Sequence, residues 1–163
     1  MVVAIGNAGE LGYNICMLAK EHLMGKVIVT IIGTQTDASG DENRLELVTA
    51  GTRHDKNGIS YVTYHESEIS GMEGTTTLLK VFGDHFALIR KGAVEQHLEF
   101  YPDRKCDGRY ITAFGAMSLS VYTKRLDMVS SGKNLSLDTA YELAINDQWQ
   151  SSNTLSVSVL EEE

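Results

Sequence analysis

The sequence predicts an all-β protein whose strands close into an antiparallel barrel, and three observations carry that reading. Val, Thr and Ser cluster after residue 25, glycine is abundant (15) and proline nearly absent (1), a composition suited to strands joined by tight glycine turns. About eight to ten short segments of strand-like pattern follow at regular spacing, with no helical period between them. Nearly every connection has hairpin length, and closure removes the exposed edges that an open sheet of so many strands would leave.

The first 24 residues stand apart from this pattern. Val2-Val3-Ala4-Ile5 leads into a glycine-rich turn, and Leu11, Ile15, Leu18 and Leu23, with Met17 nearby, approximate one helical face. The expected organisation is a helical extension over residues 1–24 and a barrel domain over residues 25–163. Met24-Gly25-Lys26 also reads as the natural beginning of the domain, which would make the preceding residues an extension. Gly6, Gly9 and Gly12 before a helix and residues 26–32 imitate a phosphate-binding βα unit. The spacing is G-x-x-G-x-x-G rather than G-x-G-x-x-G, Glu10 would face the phosphates, and no further βα units follow. Nucleotide binding is set aside on those grounds.

Residues 27–32 form an apolar run too uniform to choose a face, and 44–55 read as the second strand with Leu45, Leu47 and Thr49 on one side. Lys56-Asn57-Gly58 is the sharpest turn signal, because Asn-Gly supplies the positive φ angles of a tight hairpin. Strands are then expected over 59–69, 75–82, 85–91 and 93–101. Residues 102–108, which hold the only proline, read as an exposed loop. Strands over 109–114, 116–126, 134–145 and 154–160 complete the chain, with residues 146–153 as a polar connection. Trp149 in that connection is expected to pack against a barrel end, with partner contact as the lesser alternative.

Fourteen Lys+Arg against 22 Asp+Glu leave a net charge of −8, and no run forms a basic patch. That argues against nucleic acid and anionic membrane as partners. Cys16 and Cys106 support neither a disulfide framework nor a zinc motif, no apolar run reaches membrane-spanning length, and a cytoplasmic setting is expected. His54, His65, His85 and His97 follow no metal-ligand spacing, and strand alternation turns His65 and His97 toward solvent, so no metal and no cofactor is expected. No G-x-S-x-G elbow is present. Cys106 reads as an ordinary surface thiol, with Arg104 and Lys105 opposed by Asp103 and Asp107.

Strand alternation gives one constellation. Tyr64 and Glu66 share a face, as do Leu88 and Arg90, and Gln96 and Leu98. If these faces point inward, Tyr64, Glu66, Arg90 and Gln96 gather in the barrel, with Tyr110 at the mouth. Arg90 would pair bidentately with Glu66, since burying either charge alone is costly. Two roles stay open: an internal network that satisfies itself, or a site in which Arg90 holds a carboxylate or another small anion.

Residues 25–163 resemble the YwiB-like family, a bacterial domain of unknown function found mainly in Firmicutes. The resemblance rests on Tyr61-Val62-Thr63-Tyr64-His65-Glu66, Thr75-Thr76-Thr77-Leu78-Leu79-Lys80, Leu88-Ile89-Arg90-Lys91-Gly92 and Phe100. It continues through Tyr110-Ile111-Thr112-Ala113-Phe114-Gly115, then Leu119 to Thr123, and ends on Tyr141-Glu142-Leu143. The family's usual turn is Thr-Pro-Tyr-Gly-like, so Ala113 and Phe114 depart from it. The resemblance implies a calycin-like (lipocalin-like) barrel and brings no reaction, substrate or catalytic residue. The functions expected are a small ligand held in the barrel, with a small anion as its sharper form, then a homo-oligomeric interaction module, with an enzyme third.

Overall fold

A computed structural model describes residues 23–162. The glycine-rich segment and all but the last two residues of the expected helical extension lie outside the described residues; Leu23 and Met24 belong to the first strand. Ten strands run in chain order: β1 (Leu23–Asp37), β2 (Glu42–Lys56), β3 (Ile59–His65), β4 (Thr75–Val81), β5 (Phe86–Gly92), β6 (Glu95–Phe100), β7 (Arg104–Thr112), β8 (Gly115–Ser130), β9 (Asn134–Ile145) and β10 (Gln148–Glu161). Each pairs antiparallel with its sequence neighbour, and β10 returns to β1, so the sheet closes as an up-and-down barrel. Closure is extensive: Val27 to Asp37 pair without a break against Glu161 to Ser151.

Turn chemistry sets the register. Asn57 (φ 53°) and Gly58 (φ 79°) make the expected hairpin, and Asn146 (φ 51°) and Asp147 (φ 65°) make a second one of the same hand. That second turn is far shorter than the polar connection expected over 146–153. Residues 148–153 instead extend β10, because alternating Ser and Asn side chains are compatible with a strand whose backbone is already paired. The loop expected over 102–108 is likewise mostly strand. Asp103 (φ 58°) completes the turn, and β7 starts at Arg104. The third strand ends earlier than expected, at His65, followed by a 3-10 turn at Glu68–Ser70 that Ser67 caps and Gly71 terminates.

The barrel is uneven. Strands β8, β9, β10, β1 and β2 are long, whereas β3 to β7 are short, and pairing between β6 and β7 covers only Glu95–His97 against Ile111–Arg109. Gly108 permits the close approach at that seam: a Cβ there would lie 2.3 Å from the His97 carbonyl oxygen.

Inward-facing residues divide the interior into zones. The middle is apolar and filled, with Val29, Leu79, Leu88, Val121, Leu137 and Val157 from six strands buried together. Phe86 and Phe100 stack there with ring centroids 4.4 Å apart, and Tyr141 stands edge-on to Phe100 at 5.0 Å. Burial of each such side chain contributes about 1.5–3 kcal/mol. Polar residues line both ends. At the lower end, where β2 turns into β3, Arg53 pairs with Asp55 (3.1 Å) and reaches Ser60 and Ser130. The hollow beside it is only about 70 Å³. The upper end, marked by the β1–β2 and β9–β10 turns, is different.

Candidate functional site

One cross-strand row runs around the upper end. Tyr64 of β3 faces Thr77 of β4, Thr77 faces Arg90 of β5, Arg90 faces Gln96 of β6, and Gln96 faces Tyr110 of β7. Glu66 follows just beyond β3, where its backbone N–H still donates to the Thr75 carbonyl (2.8 Å). The residues singled out by alternation therefore come together, with Tyr110 half-buried at the end of the row.

Their contacts differ from the bidentate pair expected. Arg90 Nε stands 3.6 Å from Glu66 Oε1, a loose single contact. The Glu66 carboxylate instead takes its strong hydrogen bond from the Thr77 hydroxyl at 2.7 Å. Arg90 donates through Nη1 to Gln96 Oε1, and its buried Nε has no hydrogen-bond partner. Thr77 competes for the oxygen that Arg90 would need, because both approach Glu66 from adjacent strands. The Glu66 side chain is 2% exposed and that of Arg90 17%, so the guanidinium is the part of the pair that reaches open space.

That space is a hollow of about 420 Å³ in the upper end of the barrel. Arg90 and Tyr141 line it on one side. Gln35, Asn43 and Asn153 line it with Ile31, Leu45 and Leu155 below and between them. Asn153 is held in place by its amide, which donates to the Ser151 hydroxyl (3.0 Å) and carbonyl (3.2 Å), and Gln35 also reaches Ser151 (3.4 Å). The result is a cup with an apolar floor, amides and the exposed Arg44 on one side and the Arg90 guanidinium on the other. Such a combination of apolar lining and a few fixed polar groups is what a small-molecule site needs.

Sequence reading missed Thr77, Tyr141, Gln35, Asn43 and Asn153. Thr77 alternates with Thr75 and Leu79, and Tyr141 with Thr139 and Leu143, so their inward direction was available from period alone. Asn153 fell in a segment read as a connection.

Two phenols border the site. Burial, and then the Glu66 charge, push the Tyr64 hydroxyl well above its ordinary pKa, with Arg90 acting in the opposite direction. Burial raises Tyr141 in the same way, again against Arg90. Unfolded tyrosine ionises near pH ~10. Above that pH the unfolded chain loses protons that the folded chain keeps, so these groups lower stability as pH rises and contribute no pH dependence below it. Tyrosinate absorbance should therefore show two phenols that ionise only with unfolding, and denaturation midpoints should fall steeply above about pH 10. Reversible ionisation of every tyrosine in the folded protein would contradict this arrangement.

Other candidate groups are accounted for differently. Among the described residues no group of His, Cys, Asp and Glu is placed to hold a metal ion. His65 and His97 are exposed. His85 stacks between Phe82 (4.2 Å) and Tyr101 (4.0 Å), and half-buried His54 packs near Tyr61. Burial and the Glu99 charge raise the Cys106 thiol despite nearby Arg104, which favours the unreactive protonated form.

Residues 29–157 match the model of a domain of unknown function, DUF1934. The chain belongs to this family. The YwiB-like resemblance is also borne out among individual proteins. The chain is 22% identical over 119 residues to the uncharacterized beta-barrel protein YwiB of Bacillus subtilis (strain 168), covering 73% of this chain and 82% of the relative. The crystal structure of the Bacillus subtilis YwiB protein superposes with a TM-score of 0.77 at 18% identity, over 86% of this chain and 94% of that one. The shared feature is the barrel itself.

Proposed function

We propose that this DUF1934 barrel is a cytoplasmic binding protein that takes a small carboxylate or similar anion into its upper cup, in the manner of calycin-like barrels. The carrying observation is the position of Arg90. Its Nε is buried without a hydrogen-bond partner, its Glu66 contact is loose at 3.6 Å, and it lines a hollow of about 420 Å³. A guanidinium partly withdrawn from water gains most from an anion that completes its planar set of donors. Arg53 at the opposite end also has a nitrogen without a partner, but it has no comparable space beside it.

Calorimetric titration with citrate, benzoate and octanoate as probes tests this reading. At least one is expected to bind, and Arg90→Met to weaken it at least about tenfold, the equivalent of one charge-assisted hydrogen bond. Equal binding by Arg90→Met, or none to the parent protein, would remove the anion from the proposal.

Self-association is a second reading with an observation of its own. The outward face of β10, β1 and β2 carries Leu160, Ile28, Ile32 and Val48, with Leu160 and Val48 exposed. Light scattering over a concentration series separates a dimer from a monomer.

A further inference from the structure

The outer surface of β7 to β10 carries a trough that the cup does not use. Registers across these strands align two outward rows: Asp107, Ser120, Ala144 and Trp149 in one, and Lys105, Tyr122, Glu142 and Ser152 in the next. Ser120 and Ala144 are small and lie between larger neighbours, so the middle of the first row is hollow. Two adjoining hollows of about 400 and 240 Å³ result, and both are lined by Ser120 and by Asp147 of the β9–β10 turn.

Trp149 forms one wall of this trough and is 48% exposed. That differs from the packing role expected from sequence. Trp149 lies within β10 opposite Ala144, not in a connection at the barrel end, so the indole stands on the outer face of the sheet. Two bulges flank the trough, one at Lys124 in β8 and one at Gln150 in β10. Bulges re-aim the side chains beside them. Lys124 donates to Glu142 at 3.4 Å. Burial alone would raise the Glu142 pKa, but donors on Ser152, Trp149 and Lys124 outweigh it and keep the group an ionised acceptor.

We propose that this trough binds a neutral sugar, a pyranose ring stacked on Trp149 with its hydroxyls toward Glu142, Asp147 and Lys105. A pyranose has one face of C–H bonds and an edge of hydroxyls. It needs a flat π surface, whose negative face attracts polarised C–H groups, beside a rim of donors and acceptors. The trough has both. Its carboxylates, Asp107, Glu142 and Asp147, are matched by Lys105, Arg109 and Lys124, so the local field favours a neutral polyol over a strongly charged ligand. A nucleotide would also stack on the indole, but its phosphates would find no net positive field in the trough, in a chain of net charge −8.

Trp149 is the only tryptophan in the chain, so its fluorescence reports the trough directly. Titration with methyl β-glucopyranoside, maltotriose and diacetylchitobiose is expected to give a saturable change for at least one, with Kd on the order of 1 mM. Ala144→Leu fills the trough while leaving Trp149 in place, and should abolish the response. Val129→Ser, an exposed position near the far end of β8 that touches neither the trough nor the cup, should respond as the parent does. Amide NMR shifts induced by the sugar should fall on Ser120, Tyr122 and Ala144. No saturable response to any of the three sugars, an unchanged response in folded Ala144→Leu, or shifts confined to the cup would overturn the proposal.

Discussion

Replacing Glu66 by Leu is expected to destabilise the fold by about 3 kcal/mol, and adding Arg90→Met to the same chain is expected to recover most of that loss. The single variant leaves a guanidinium in the barrel whose counter-charge is gone and whose Nε already lacks a partner. It also leaves the Thr77 hydroxyl, fully buried, without its carboxylate acceptor. The lower end of the usual range for a broken buried pair applies, because the Arg90 side chain is 17% exposed and water in the cup screens part of its charge. In the double variant both charges are absent, and Leu and Met fill similar volumes with apolar atoms. Chemical denaturation of the two single variants and the double gives the coupling energy directly.

The same cycle separates the two roles left open by the sequence. A purely internal network predicts a stable double variant that has lost nothing else. A binding site predicts a stable double variant that no longer takes the anion. If Glu66→Leu alone costs under about 1 kcal/mol, the pair is screened like a surface contact and neither role has energetic weight.

The barrel was legible because period and turn chemistry agreed along most of the chain. Asn57-Gly58 requires positive φ, and the two-residue period of β3, β5 and β6 carries Tyr64, Arg90 and Gln96 to the same side as Val62, Leu88 and Leu98. The gathering of Tyr64, Glu66, Arg90, Gln96 and Tyr110 came from that alternation alone, since hairpin after hairpin keeps the inward residues of adjacent strands level. Two misreadings share one cause. Residues 102–108 and 146–153 are polar, which by itself predicts loops, whereas in a closed barrel the outward residue of every pair faces water whatever its strand status. Trp149 was misplaced with them. The rest of the site depends on a different kind of information. Gln35 and Asn153 meet because β10 pairs with β1, a contact between the two ends of the described chain that no local pattern encodes. The competition between Thr77 and Arg90 for Glu66 is a matter of tenths of an ångström, set by how the strands twist.

Phe100→Ala should cost about 3–5 kcal/mol, the range for deleting a large buried aromatic side chain. Phe100 is 1% exposed, and its removal breaks both the stack on Phe86 and the edge contact with Tyr141. Phe86→Ala should destabilise the protein by a similar amount, since Phe86 is equally buried in the same stack. The two differ in what stands behind them. Tyr141 lines the cup and rests edge-on against Phe100, so losing Phe100 lets that wall sink and enlarges the cavity. Affinity for an anion on Arg90 should therefore change in Phe100→Ala and stay close to the parent value in Phe86→Ala, despite equal losses of stability. Measuring the denaturation midpoint and probe affinity of both variants together makes the comparison internal. Equal effects on affinity would mean that the variants act through general loosening of the barrel, and that Tyr141 is not a wall held up by Phe100.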